Sequence, residues 1–419
     1  MDRRHFLKKG SMGSLLGLAG MRDVYRIAQE APAIFRLPPA DEVVRCAIIG
    51  FGQWGREMAE TLEDLPEMQV SAICDTYAPM LRRAQRAHPD ASRHEDYTEV
   101  LGNAEIDAVL IATPTHLHKQ VVLDALAAGK HVYCEAPMAH SVADAREIGK
   151  AADAASDQIF QVGLHLRTEP QYRSVFQFIR SGAIGDSVMS RTQWHRKESW
   201  RQASPNGQRA RDLNWRLEAD KSLGLVGELG LQQLDVASWL MGAYPTSVTG
   251  FGSTLLWNDG RDVPDTVQAI FGFPGGKNLM FDASLASSFD SDYETFYGTN
   301  STIMFRDQKA WMFKEVDAPM LGWEVYARRD KFYKETGVAL VANATKLDSL
   351  GLDPTADDPN LKSPLWHGMK SFADNFFYGP YPAIADHNLG FAMTVLADAA
   401  KRAIASGQRV ELTEADYQL

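Results

Sequence analysis

The stretch that decides the fold is VVRCAIIGFGQWG, residues 43–55, in which an apolar strand runs into the pattern Gly-x-Gly-x-x-Gly. The residues that follow, REMAETL at 56–62, are typical of the start of a helix. In such a unit Gly50 permits the tight turn, Gly52 lets the backbone approach a pyrophosphate, and Gly55 lets helix and strand pack closely. The phosphates then face free N–H groups at the positive end of the helix. This stretch predicts a dinucleotide-binding domain.

An acidic residue at the end of the next strand supports this interpretation and selects the cofactor. The strand is VSAIC, residues 70–74, and Asp75 follows it. A carboxylate accepts hydrogen bonds from both adenosine ribose hydroxyls and repels a 2′-phosphate, so NAD is favoured over NADP. In the NADP alternative Arg82 and Arg83 would serve the phosphate, but their spacing suits the solvent face of the next helix. The dinucleotide contacts predicted from this part of the chain are Gly50, Phe51, Gly52, Gln53, Trp54, Gly55 and Asp75.

Length and composition restrict the class of protein. A chain of 419 residues is too long for one compact core and predicts two or three domains. A hydrophobic fraction of 45% and a charged fraction of 23% are those of an ordinary soluble protein. The net charge of −11 argues against nucleic acid or an anionic membrane as the main partner. Cys46, Cys74 and Cys134 fall on predicted buried strands and are interpreted as core residues, with no disulfide set and no metal site.

Residues 1–33 are interpreted as a twin-arginine export signal. DRRHFLKK at 2–9 matches the twin-arginine pattern, and SMGSLLGLAGM at 11–21 is an apolar core too short to span a bilayer. A chance basic N-terminus is the alternative. Because this route carries proteins that fold in the cytoplasm, we expect a periplasmic protein with a tightly held nucleotide and the twin-arginine machinery as a partner. The best cleavage candidate is APA at 31–33, and an uncleaved signal would tether the protein to the membrane.

Strands and helices continue to alternate after Asp75. Further strands at 106–112, 131–135 and 159–163 are separated by helical stretches, so we expect the nucleotide-binding domain to occupy residues 42–165. A second domain is expected over residues 166–387. Its aromatic strands and Gly, Pro and Asn turns predict an antiparallel sheet with strands at 248–256, 266–273, 279–287, 293–298 and 301–305.

The last long apolar stretch, residues 388–405, is expected to form a helix that packs back on the body. The predicted fold class is therefore α/β: an N-terminal Rossmann domain followed by an α+β domain with an open, mostly antiparallel sheet.

A set of motifs recurs in the same order in one known family. They are Gly50–Gly55, ATPTHLH at 112–118, AGKHV at 128–132, Glu135-x-Pro137, Gly163-x-x-x-Arg167, Gly182-x-Ile184-Gly185, and GELG-x-x-x-LD-x-x-x-WL at 227–240. Over residues 42–405 the chain thus resembles the glucose–fructose oxidoreductase/inositol dehydrogenase/MocA family. The resemblance implies a nicotinamide held between the two domains, and an open sheet face that forms homo-dimers or homo-tetramers.

The resemblance also implies further cofactor contacts. Thr113, Pro114 and Thr115 would pass beside the nicotinamide ribose, and Glu135 would approach the ribose or the carboxamide. His118 matches a family position near the ring, with a packing role at the start of a helix as the alternative.

The chain departs from the family where protons are handled. Family dehydrogenases have Glu-Lys-Pro where this chain has Glu135-Ala136-Pro137, and Asp-x-x-x-His where this chain has Glu228 and Gln232. Removing a hydride from an alcohol carbon also requires the hydroxyl proton to leave, and neither a methyl group nor a neutral amide accepts it. The candidate catalytic residues are Glu228, His165, which follows the end of a strand where ligands bind, His195 and Tyr172. For His195 and Tyr172 a packing role is an open alternative.

A cluster of aromatic and basic residues is the candidate sugar site. Flat aromatic rings beside Arg and carboxylates suit the apolar faces and hydroxyls of a carbohydrate, although tryptophans also fill interdomain cores. The predicted substrate contacts are Arg167, Trp200, Trp215, Arg216 and Gln232, with Trp194 and Arg201 nearby in the sequence.

Three functions are compatible with these observations. The first is an exported NAD-dependent oxidoreductase acting on a sugar, glycoside or polyol. The second is a glycosidase or lyase that uses bound NAD as a recycled oxidant. The third is a non-catalytic sugar-binding paralogue that keeps its nucleotide as a structural element.

Overall fold

The computed structural model describes residues 42–332, 335–342 and 361–419. The export signal predicted at residues 1–33 lies outside this part of the chain.

The nucleotide-binding domain is built on a six-stranded parallel sheet in the order β3-β2-β1-β4-β5-β6. Its strands are apolar along most of their length because both faces are covered by helices. The elements are β1 (Val44–Ile49), α1 (Gln53–Glu63), β2 (Met68–Cys74), α2 (Ala78–Ala87), β3 (Ser92–His94), α3 (Tyr97–Leu101), β4 (Ala108–Ile111), α4 (His118–Ala127), β5 (His131–Cys134), α5 (Val142–Ala154) and β6 (Phe160–Val162).

The second domain begins with helices and continues as a ten-stranded sheet in the order β14-β15-β13-β12-β11-β7-β10-β9-β8-β16. The pair β7 and β10 is parallel, and the other neighbours are antiparallel. The elements are α6 (Pro170–Arg180), β7 (Ser187–His195), α7 (Gly207–Leu213), α8 (Gly224–Glu228), α9 (Leu231–Met241), β8 (Ser247–Ser253), β9 (Thr266–Gly272), β10 (Asn278–Ser284), β11 (Asp292–Gly298), β12 (Ser301–Arg306), β13 (Lys309–Lys314), β14 (Arg329–Phe332), β15 (Glu335–Leu340), α10 (Pro364–Tyr378), α11 (His387–Ser406) and β16 (Val410–Glu411). The predicted fold class is confirmed.

One face of the large sheet packs on helices and the other is open. On β10 the ring of Phe281 faces the helices, since a Cβ added to Gly230 would lie 2.6 Å from it. Side chains alternate along a strand, so Asp282 points to the opposite face. On that open face Phe251, Ile270 and Met280 are 69%, 44% and 45% exposed.

Helices from the end of the chain complete the nucleotide-binding domain. Leu365, Met369 and Phe372 of α10 join the same buried cluster as Ile48 and Met58, on the α1 side of the parallel sheet. On the other side of that sheet, α11 packs against α5 and against β8 of the large sheet. The two domains are therefore joined by shared packing as well as by the chain between them.

Two further properties concern the described residues. None of their helices has the length and apolar character needed to cross a bilayer. Cys46, Cys74 and Cys134 are buried and free, on β1, β2 and β5.

Candidate nucleotide and substrate cleft

The three glycines after β1 have three different surroundings. Gly50 has a φ of +92°, and a Cβ added there would lie 2.7 Å from the carbonyl oxygen of Ala112, the residue after β4. A Cβ added to Gly55 would lie 2.0 Å from the carbonyl oxygen of Gly50. Gly52, in contrast, has nothing within 4 Å of an added Cβ. The turn is thus tight where strand and helix meet and open at the glycine where a pyrophosphate approaches.

Asp75 is tied to the glycine turn. Its Oδ2 accepts a hydrogen bond of 2.8 Å from the amide of Phe51, and its Oδ1 accepts one of 2.8 Å from the amide of Tyr77. Each oxygen keeps a lone pair, because a carboxylate has about four acceptor positions. Phe51 is 1% exposed, so it offers a ligand its backbone rather than its ring, whereas Gln53 is exposed at the start of α1.

Three buried polar atoms near the ends of β4, β5 and the start of α1 have no hydrogen-bond partner among the described residues: Thr113 Oγ1, Glu135 Oε1 and Trp54 Nε1. Buried polar groups are paired in the great majority of cases. A donor and two groups able to accept, placed at the carboxyl ends of parallel strands, fit the ribose hydroxyls and carboxamide of a nicotinamide nucleotide. The residues present therefore suit the predicted cofactor.

Glu228 lies where the two domains meet. Its side chain is 2% exposed, and Thr115 of the nucleotide-binding domain donates to its Oε2 at 3.4 Å. Arg216 Nε stands 3.5 Å from the same oxygen, and Ser222 Oγ lies 3.4 Å from Oε1. Burial raises the pKa of the Glu228 carboxyl, and the Arg216 guanidinium opposes that rise. Glu228 is thus a buried carboxyl held by several long contacts.

Gln232 is placed on the other side of the cleft. Its Nε2 donates to the carbonyl oxygen of Gly163 at 2.6 Å and lies 3.3 Å from His165 Nδ1, and its Oε1 faces the amide of Leu166 at 3.4 Å. Burial lowers the pKa of His165 to about 4. His165 is therefore neutral near pH 7, and Gln232 holds it next to the end of β6.

The position of Ala136 follows from the strand order. Strands β4, β5 and β6 are neighbours, and the segments after them carry Thr115, Ala136 and Gly163. Glu228 contacts the first of these segments and Gln232 the third. Ala136 thus lies between the two, with a methyl group where the family has a lysine.

Glu135 is enclosed beside this gap. It is 8% exposed, and a Cβ added to Gly163 would lie 2.7 Å from its Oε2. Desolvation raises the pKa of Glu135 to about 8. The amide of Ala136 and the nearby Trp54 Nε1–H, which lies outside hydrogen-bond geometry, favour the ionised form. The neighbouring segments hold Glu135 as a largely protonated acid at neutral pH.

Four predicted site residues have roles in packing instead. Tyr172 is 8% exposed, donates to Glu294 Oε2 at 2.8 Å and stacks on Phe305, with ring centroids 4.4 Å apart. Its hydroxyl is thus committed between α6 and the large sheet, and the structure does not support a catalytic role. The remaining three are Arg167, His195 and His118.

Arg167 is held in a buried ion pair. Its Nε donates to both carboxylate oxygens of Asp235, at 2.8 and 2.7 Å, and its guanidinium lies 5.3 Å from the ring centroid of Trp239. With a side chain only 7% exposed, it joins the turn after β6 to α9.

His195 and His118 are also occupied. His195 Nε2 lies 2.7 Å from Asp282 on the open face of the large sheet, opposite the face that carries α8 and α9. It is therefore not part of the cleft.

His118 is 1% exposed, with Nε2 2.9 Å from the carbonyl oxygen of Thr113 and Nδ1 3.0 Å from that of Pro137. Burial lowers the pKa of His118 to about 4, so the ring is uncharged at neutral pH. A neutral imidazole carries one N–H, and therefore only one of these two contacts is a hydrogen bond. It connects the segments after β4 and β5.

The aromatic cluster is divided between cleft and core. The guanidinium carbon of Arg216 lies 4.5 Å from the ring centroid of Trp215. The ring of Trp215 thus supports the guanidinium that contacts Glu228. Trp200 is half-buried against the main core, and Trp194 packs there as well. His116, which was not among the predicted site residues, lies beside Trp215, with its ring centroid 5.9 Å from that of the tryptophan. Its place in the ATPTHLH motif was the available signal.

Comparison with known proteins bears on the cofactor and the chemistry. Residues 44–164 match the model of an oxidoreductase family with an NAD-binding Rossmann fold, and residues 172–304 match the model of the GFO/IDH/MocA C-terminal domain. The cofactor is therefore NAD. Among the described residues, no group of His, Cys, Asp and Glu is arranged to hold a metal ion.

Two curated relatives represent different activities. The scyllo-inositol 2-dehydrogenase (NAD(+)) of Bacillus subtilis is 26% identical over 61% of this chain and 69% of that protein. The alpha-N-acetylgalactosaminidase of Shewanella oneidensis is 27% identical over 48% of this chain and 50% of that protein. The matches to the curated relatives span 39% to 69% of their own length.

The fold is shared with solved structures. A levoglucosan dehydrogenase in complex with NADH superposes with a TM-score of 0.71, covering 89% of this chain and 100% of that chain at 19% identity. Two family models in the expected order and a common fold agree with the motif set. The chain belongs to the glucose–fructose oxidoreductase/inositol dehydrogenase/MocA family of oxidoreductases.

Proposed function

We propose that this protein is an exported oxidoreductase that holds NAD and acts on a sugar, glycoside or polyol. The observation that carries the proposal is the position of Glu228, a buried carboxyl that contacts the nucleotide-binding domain through Thr115 beside the unpartnered polar atoms of the cofactor site. A family of oxidoreductases and relatives named as polyol dehydrogenases support the same assignment.

Bound nicotinamide would supply the hydride acceptor or donor. The protein must then move the hydroxyl proton, and Glu228 is the ionisable group placed for this task. Burial raises the pKa of this carboxyl towards the pH at which a general base is most effective, and the Arg216 guanidinium opposes that rise. Arg216, whose side chain is 43% exposed, would contact the sugar, and Trp215, which is 6% exposed, would support the guanidinium from below. Gln232 would hold His165 against the end of β6.

A second candidate function is a glycosidase or lyase in which the nicotinamide is reoxidised within each turnover. The resemblance to an alpha-N-acetylgalactosaminidase favours it, as does Ala136 in place of the family lysine. Oxidation of a ring hydroxyl to a ketone, with the hydride passing to the nicotinamide, would acidify the neighbouring C–H. A base would take that proton as the glycosidic bond breaks by elimination. In a glycosidase, water would then add to the resulting double bond and the hydride would return to the ketone. Glu135, protonated at neutral pH, would be a suitable acid for a leaving group.

One experiment separates these functions. Purified protein is first analysed for bound NAD(H) by mass spectrometry, and a panel of sugars, polyols and aryl glycosides is then added in single-turnover experiments. Reduction of bound NAD with an accumulated keto-sugar supports the oxidoreductase. Release of the aryl group with no net change in nicotinamide absorbance supports the glycosidase. If NAD is bound but no compound on the panel reacts with it, the result supports the non-catalytic paralogue. If the protein carries no NAD and binds none at millimolar NAD, all three functions are overturned.

The location and assembly of the protein are separate proposals. The twin-arginine pattern at residues 2–9 supports export to the periplasm, which cell fractionation of a variant with both Arg3 and Arg4 changed to Lys would test. The exposed Phe251, Ile270 and Met280 on the open sheet face support a homo-dimer or homo-tetramer. Sedimentation of Phe251→Asp against wild type would show whether this face holds the subunits together.

A further inference from the structure

A segment of the second domain crosses to the adenosine side of the nucleotide-binding domain. This crossing segment, residues 196–214, leaves β7 and contains α7. Arg209 on α7 lies over the ring of Tyr77, with 4.3 Å from the guanidinium carbon to the ring centroid. Tyr77 follows Asp75 by two residues, and its amide donates to Asp75 Oδ1. The second domain therefore contacts the nucleotide-binding domain beside the acidic residue expected to hold the adenosine ribose.

The base of the crossing segment is firmly held. Asn214, 5% exposed, accepts a 2.7 Å hydrogen bond from the amide of Gln202 and donates back to the carbonyl oxygen of Gln202 at 3.1 Å. Arg201 Nε lies 3.1 Å from Asp259, which also pairs with Arg261 at 2.7 Å. Because the base is fixed, α7 presents Arg209 to Tyr77 in a defined position.

Arg209 has an unused donor at this position. Its Nε–H is buried, and none of the residues that the structure describes accepts a hydrogen bond from it. A buried donor without a partner is destabilising, and a guanidinium has five N–H groups in a rigid fork. The adenosine ribose and the adjacent phosphates of a dinucleotide carry oxygen acceptors and negative charge. They would lie next to Asp75, within the region that Arg209 covers.

We propose that Arg209, supported by Tyr77, is the residue with which the second domain closes over the adenosine half of bound NAD and slows its release. The proposal rests on the proposed function in one respect, that the protein holds NAD. Asp75 disfavours a 2′-phosphate, so the ligand of Arg209 is the ribose and phosphate of NAD rather than the additional phosphate of NADP.

The test is the rate at which NAD leaves the intact protein. Wild type, Arg209→Ala, Arg209→Lys and Tyr77→Ala are loaded with NAD, separated from free nucleotide by gel filtration and assayed over time by mass spectrometry. Loss of a desolvated cation–π contact and a charged hydrogen bond predicts about tenfold faster release from Arg209→Ala and Tyr77→Ala. Arg209→Lys keeps the charge without the planar fork and should be intermediate. Arg86→Ala, which removes an exposed arginine from α2, is the matched control and should stay within about twofold of wild type.

A second measurement does not depend on release. Trypsin cleaves after Arg209 and Arg211, and bound NAD should slow cleavage at these sites in wild type but not in Tyr77→Ala. The double variant Arg209→Ala/Tyr77→Ala should lose NAD no faster than either single variant, because the two residues act as a unit.

The outcomes separate this proposal from the proposed function. Wild type without bound NAD would overturn the proposed function itself. Wild type that holds NAD, with Arg209→Ala releasing it at the wild-type rate, would overturn the role of Arg209 alone. An effect of Arg209→Ala on NADP binding with no effect on NAD release would also overturn it, since Arg209 would then recognise a 2′-phosphate.

Discussion

The two ends of the cleft are built in different ways. At the adenosine end, the glycine turn and Asp75 lie within residues 50–75, and backbone geometry forms the site: the turn is tight, and the amide of Phe51 holds Asp75. At the nicotinamide end, Thr115, Ala136, Glu228 and Gln232 come from two strand ends and two helices. The adenosine end keeps the family pattern, and the nicotinamide end does not. A backbone-made site tolerates little change, whereas a site made of separate side chains can be altered one residue at a time.

The largest expected effect is at the nicotinamide end. Glu228→Gln removes the proton acceptor and keeps the size of the side chain, so single-turnover reduction of bound NAD by an active sugar should fall by about 10²–10⁴-fold. Retention of NAD should be unchanged, which distinguishes a chemical role from a binding role. Glu60→Gln, an exposed change on α1, is the control. A Glu228→Gln protein as fast as wild type would show that another group moves the proton.

The adenosine end is tested by two glycines with opposite surroundings. Gly55→Ala pushes a methyl group into the carbonyl oxygen of Gly50 and should lower the free energy of unfolding by about 1–3 kcal/mol in urea denaturation without NAD. Gly52→Ala meets no protein atom within 4 Å, at a φ of −66°, so its free energy of unfolding should change by less than about 0.5 kcal/mol. Its affinity for NAD, measured by calorimetry, should nevertheless fall. Equal destabilisation by both changes would contradict the assignment of Gly52 to the ligand.

A smaller effect concerns pH and Glu135. Its pKa in the folded protein is about 8, above its ordinary value of 4.5, so the folded state binds the proton more tightly than the unfolded state. The stability that this proton contributes is present below about pH 4.5 and is lost as the pH rises towards about 8. Without NAD, wild type should therefore lose stability across this range more steeply than Glu135→Gln, which has no carboxyl to titrate. Parallel stability curves would show that Glu135 ionises normally.

The smallest effect is expected for His195. It pairs with Asp282 on the open face of the large sheet, and both side chains are about one-fifth exposed. Such pairs contribute about 0–1 kcal/mol. His195→Ala should therefore react with bound NAD at the wild-type rate and unfold at nearly the same urea concentration. A loss of single-turnover rate comparable with that of Glu228→Gln would place His195 in the chemistry after all.

The sequence predicts the adenosine end better than the nicotinamide end for a physical reason. Gly50, Gly52, Gly55 and Asp75 are tied by local backbone geometry, and spacing alone reports it. Tyr172 and Arg167 were predicted as site residues because a phenol and a guanidinium often bind or act on ligands. No local sequence pattern reveals that the Tyr172 hydroxyl is hydrogen-bonded to Glu294 and that Arg167 is paired with Asp235.

The extent of the large sheet shows the same limit. Strands β8 to β12 follow their alternating patterns, whereas β13 to β15 were not predicted. The parallel pairing of β7 with β10 joins residues about ninety positions apart, and the sequence offers no signal for it.

The placement of α10 also has a consequence for synthesis. Leu365, Met369 and Phe372 cover the α1 side of the nucleotide-binding sheet, so that sheet keeps an uncovered apolar surface until α10 has left the ribosome. The nucleotide-binding domain is thus finished only after strands β7 to β15 of the second domain have been translated, and nascent chains must be shielded from one another during this interval. Translation that ends before residue 378 would give a chain in which the strands of the nucleotide-binding sheet are present but α10 does not cover them.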